Sequence, residues 1–80
     1  MTQPAPEPDA QSMTTYSDGY VGLFFELPGH PEDERWKWEL WKGEELVDWE
    51  YAPSLTVCQR ECPAYVRIHR YVTSRSRRVA

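Results

Sequence analysis

Trp36, Trp38, Trp41 and Trp49 fall within fourteen residues, on both sides of Gly43 and interleaved with charged side chains. No other feature restricts the fold as much. Alternation with a period of two marks a strand with one buried face, and tryptophan is a better strand former than helix former. A strand over 35–42 therefore places Trp36, Trp38 and Leu40 on one face and Lys37, Glu39 and Trp41 on the other. Gly43 supplies the positive φ of a hairpin turn, and the return strand, 46–51, places Val47, Trp49 and Tyr51 together. Two registers keep the faces matched. One centres on Lys42 and Gly43 and opposes Trp36 to Trp49. The other centres on Gly43 and Glu44 and opposes Trp38 to Trp49, Leu40 to Val47 and Trp41 to Leu46. The second is preferred for its apolar pairs, each worth roughly 0.2–1 kcal/mol. The register between them turns one strand over and is excluded.

Residues 20–27 form another expected strand, with Val21, Leu23, Phe25 and Leu27 toward the core and Tyr20, Gly22, Phe24 and Glu26 opposite. Asp18-Gly19 and Pro28-Gly29 are its turn signals. Pro53 ends the sheet region, and Ser54 is placed to cap a short helix over 55–62 that Pro63 terminates. Residues 64–72 read as a fourth strand, with Val66, Ile68 and Val72 inward and Tyr65, Arg67, His69 and Tyr71 outward. The helical spacing of Val66, His69 and Arg70 leaves a second helix open. The expected fold is α+β: a small antiparallel three- to four-stranded meander with one short helix, in the order β-β-β-α-β.

Eighty residues support one domain. Pro4, Pro6 and Pro8 favour extended backbone and remove donors, so residues 1–17 read as a disordered arm. The domain is expected over 18–73, with 74–80 as a basic flexible tail. No apolar run is long enough for a membrane span. The first residues lack a basic stretch followed by an apolar one, which predicts no signal peptide. With Cys58 and Cys62 as the two cysteines, the expected compartment is the reducing cytoplasm.

Cys58 and Cys62 have C-x₃-C spacing, and with His30 and His69 they offer four nitrogen and sulfur donors. Structural zinc sites use tighter, regular pairs, so no metal or other cofactor is expected. A disulfide needs Cα atoms about 4.4–6.8 Å apart; two ordinary thiols are the simpler expectation. His69 has no nucleophile tied to it by sequence context, Glu32-Asp33-Glu34 lacks calcium-loop spacing, and no glycine-rich phosphate loop exists. These readings predict a protein that is not an enzyme.

Charge is divided along the chain. Residues 1–50 carry twelve acids and three bases, net −9, and residues 51–80 carry one acid and six bases, net +5. Phe24, Trp41 and Leu46, with Tyr20, are expected to form an apolar stripe on the sheet face away from the core, rimmed by Glu39, Asp48 and Glu50. Such a centre and rim resemble a binding surface. The leading expectation is a small acidic, non-enzymatic protein-binding module, of the kind phages or mobile elements use as inhibitors or accessories of host nucleic-acid-processing proteins. Its partner would offer a basic groove; a homodimer, or cover by the N-terminal arm, is the other way to shield the stripe. The alternative is nucleic-acid binding by Arg67, Arg70, Tyr71, Arg75, Arg77 and Arg78, through phosphate contacts and base stacking. The pI near 5.0 weighs against it.

Overall fold

The computed structural model describes residues 10–78. Strands β1 (Ser12–Thr15), β2 (Tyr20–Glu26), β3 (Trp36–Lys42) and β4 (Glu45–Ala52) form one antiparallel meander, and a single helix, α1 (Leu55–Arg78), follows. The fold is α+β, as the alternating pattern requires. The strand expected over 64–72 is absent: β1, at the N-terminal edge, completes the four-stranded sheet, and the C-terminal segment is helical.

Ser12–Thr15 falls in the segment read as an arm, yet it pairs with Phe24 to Val21. Tyr16, just beyond it, packs against the core. The remainder of that reading, residues 1–9, lies outside the described residues, as do residues 79 and 80 of the expected tail. The turn into β2 uses left-handed backbone at Asp18 (φ 62°) and Gly19 (φ 80°), as the Asp-Gly pair suggested.

The helix begins where expected. Ser54 Oγ accepts a hydrogen bond from the Val57 amide at 3.3 Å, an N-cap. It does not stop at Cys62: Pro63 sits inside it. A helix interior normally excludes proline because a backbone bond is lost. Here sheet packing dominates, because Cys58, Cys62 and Val66 recur every four residues and all three are buried. The alternation read across 64–72 was misleading, since Ile68 and Val72 are exposed.

The core lies between α1 and one sheet face. It contains Tyr20, Phe24, Trp38, Leu40, Ala52, Cys58, Cys62 and Val66, with Trp36, Val47 and Tyr65 packed at its margin. Trp38 Nε1 donates to Glu61 Oε1 at 3.2 Å, and the Tyr20 hydroxyl lies 2.6 Å from His69 Nδ1. Gly22 is the point of closest approach. A Cβ there would lie 2.9 Å from Cys62 Sγ and 3.0 Å from a Tyr16 ring carbon.

The faces of β2 are the reverse of those expected. Tyr20 and Phe24 lie on the core side, and Val21, Leu23 and Phe25 on the other. Both sets are apolar, so alternation alone does not choose between them. The β3–β4 hairpin keeps the preferred register at its turn, with Trp41 opposite Leu46 and Lys42 opposite Glu45. A bulge between Leu40 and Trp41 then shifts the pairing, so Leu40 faces Asp48 and Glu39 faces Trp49. One extra residue turns over the rest of β4. Trp49, expected in the core, is consequently 46 % exposed.

Burial also acts on the thiols. Both cysteines are free and buried. Burial, followed by the Glu61 charge, pushes the Cys58 thiol from its ordinary 9.0 up to about 11. Burial likewise raises Cys62, and it raises Tyr16, whose hydroxyl is hydrogen-bonded with Cys62. The folded state thus holds these protons more tightly than the unfolded chain. The Cys58 contribution to stability is complete below pH 9 and is lost as pH rises through 9 toward about 11. At about 1.4 kcal/mol per pKa unit, Cys58 alone accounts for on the order of 3 kcal/mol. Urea titrations across this interval should show falling stability, and Cys58→Ala should flatten the slope. An equal slope in the variant would exclude the buried thiol as its source.

Candidate protein-docking face

The helix covers one side of the sheet and leaves the other open. Cross-strand pairing places Met13 beside Leu23, Val21 beside Trp41, Phe25 beside Lys37, Trp41 beside Leu46, Glu39 beside Trp49 and Lys37 beside Tyr51 on that side. Met13, Leu46 and Trp49 are exposed, and Val21, Leu23, Trp41 and Tyr51 are half-buried. The result is a contiguous apolar and aromatic surface without a helix over it.

Lys37 and Glu39 organise its middle. Lys37 Nζ lies 3.1 Å from Glu39 Oε2 and 5.0 Å from the centre of the Phe25 ring. Trp41 Nε1 donates to Glu39 Oε1 at 3.0 Å, which fixes the indole on the surface. The Trp49 and Tyr51 rings meet edge to face at 5.2 Å. Lys37, Glu39, Leu46, Trp49 and Tyr51 line a shallow concavity of about 300 Å³. It is large enough for one or two side chains and has an ion pair in its wall.

The expected site is therefore partly assembled. Trp41, Leu46 and Glu39 share the open face. Phe24 does not: it is 0 % exposed, in the core with Trp38. Asp48 and Glu50 lie opposite Leu40 and Trp38, on the helix side of β4, because of the bulge. The rim contains a compensated Lys37–Glu39 pair where a row of acids was expected. Trp49, Val21, Leu23 and Tyr51 were missed as members of the face. Gly22 carried the available signal: a glycine within an apolar strand suggests that another element approaches on its side, which assigns Val21 and Leu23 to the opposite face.

The expected nucleic-acid surface is reorganised by the helix. Arg67 and Tyr71 are four residues apart and share one side of α1. Arg70 is drawn to the β1–β2 turn, with Nη2 3.0 Å from Asp18 Oδ2 and Nη1 donating to Ser17 Oγ at 3.3 Å. His69, expected outside, turns inward to Tyr20. Arg75, Arg77 and Arg78 occupy the last turns of the helix backbone. Among the described residues, no group of three or more His, Cys, Asp or Glu side chains is arranged to hold a metal ion. No described helix is long and apolar enough to cross a membrane.

No protein-family model, curated protein or solved structure matches this chain.

Proposed function

We propose that the protein is a non-enzymatic binding module that docks a protein partner on the open face of its sheet. The observation that carries this reading is the uncovered surface of Val21, Leu23, Trp41, Leu46 and Trp49 around a concavity walled by Lys37 and Glu39. Clustered aromatic side chains with a polar rim supply binding energy at protein interfaces. The partner is basic: the sheet half of the chain has a net charge of −9 over residues 1–50, and complementary charge speeds encounter and selects partners. The finer proposal is a cytoplasmic inhibitor or accessory of a nucleic-acid-processing protein, whose basic groove would accept this acidic body.

Leu46→Glu with Trp49→Glu tests the reading. Both side chains are exposed, so the double variant should melt within a few degrees of the parent. It should lose at least about tenfold in affinity for the protein retained by the immobilised parent chain. Arg67→Glu should retain that partner. Retention by the sheet variant together with loss in Arg67→Glu would transfer the function to the helix and overturn the proposal.

A further inference from the structure

The sheet order leaves β4 at an edge. Hydrogen-bond parity defines what that edge offers. The Leu27 amide donates to the Arg35 carbonyl at 2.7 Å, which extends the β2–β3 ladder. Alternation then directs the peptide groups of Lys37, Glu39 and Trp41 toward β2, and those of Trp36, Trp38 and Leu40 toward β4. Their β4 counterparts are Ala52, Glu50 and Asp48. The peptide groups of Trp49 and Tyr51 consequently point away from the sheet.

Both outward amides are held by the acid that precedes them. The Trp49 amide donates to Asp48 Oδ1 at 2.8 Å, and the Tyr51 amide donates to Glu50 Oε1 at 3.3 Å. These carboxylates cap an edge that would otherwise template strand pairing. They also make the edge acidic, with Glu45 beside them. Two β4 edges brought together would oppose acid to acid, which disfavours a second copy as the occupant. A strand bearing cations alters the balance. Its ammonium or guanidinium groups can engage Asp48 and Glu50, release the two amides, and let the incoming backbone take them.

We infer that β4 is a strand-addition site for an extended basic segment of the partner, with basic and apolar residues in alternation. This rests on the docking face proposed above and specifies how the partner engages it. Strand alternation puts the segment's basic residues beside Asp48 and Glu50, on the helix side of β4. Its apolar residues lie beside Trp49 and Tyr51, at the mouth of the concavity.

The test is titration of the full chain with a synthetic peptide of alternating lysine and valine, read by amide exchange. Binding should slow exchange of the Trp49 and Tyr51 amides about tenfold or more. A peptide N-methylated at alternate amides on its pairing side should not bind, nor should one with glutamate for lysine. Absence of binding, or binding without protection of these two amides, would overturn the inference. Protection that grows with protein concentration alone would assign the edge to a second copy and overturn it as well. The two proposals fail separately. A partner lost in the Leu46→Glu, Trp49→Glu variant but leaving both amides unprotected removes strand addition and keeps the docking face. Peptide addition with capture unaffected by that variant does the reverse.

Discussion

Trp38→Ala should remove a large part of the protein's folding free energy. Trp38 is the largest fully buried side chain. Its ring centre lies 4.9 Å from that of Tyr65, and its Nε1 satisfies Glu61. Truncating a buried tryptophan costs about 3–5 kcal/mol. A described unit of about seventy residues has only about 3–10 kcal/mol in total at typical values per residue. The variant also withdraws a donor from a half-buried carboxylate, which adds to the loss. Urea denaturation followed by far-UV circular dichroism measures the effect. Trp49→Ala is the internal comparison: with 46 % of that residue already exposed, its change should stay near 1 kcal/mol or below. Equal losses for the two variants would contradict the placement of Trp38 inside and Trp49 outside.

Sequence alternation identified β2, the β3–β4 hairpin and the Gly43 turn, and Ser54 identified the start of the helix. The hairpin's far end was not legible because a bulge leaves no consistent mark on the hydrophobic pattern. One residue added to β4 moves Trp49 to the open face and Asp48 and Glu50 off it. For β2 the difficulty was a strand apolar on both faces, where Phe24 and Phe25 are equally plausible core residues. Both are buried, Phe24 under the helix and Phe25 beneath Lys37. Pro63 concealed the helix because its local penalty is readable from sequence, whereas the compensating burial of Cys62 and Val66 requires knowing where the sheet lies. An exposed aromatic face containing Trp41, Leu46 and Glu39 was foreseeable. The residues completing it depended on the bulge and on the side from which the helix approaches.

Gly22→Ala should destabilise the protein although it adds one methyl group, and Cys62→Ala should reverse part of that loss. Nothing in the backbone forbids the change, since Gly22 is absent from the positive-φ positions. Alanine in a strand would ordinarily gain about 0.5–1 kcal/mol over glycine. The new Cβ, however, meets Cys62 Sγ at 2.9 Å and the Tyr16 ring at 3.0 Å. Neither can withdraw easily, because Cys62 is fixed on α1 and Tyr16 is wedged beside it. Overpacking of this kind costs about 1–3 kcal/mol. Removing Sγ opens the nearest obstruction, so the double variant should be more stable than the sum of the single effects by about 1 kcal/mol or more. A strictly additive cycle would mean that the helix does not bear on the sheet at Gly22. The same variants separate stability from docking. Gly22 lies on the helix side, while its neighbours Val21 and Leu23 lie on the open face, so folded Gly22→Ala protein should bind its partner as the parent does. Loss of affinity per folded molecule would show that helix spacing shapes the open face through the sheet.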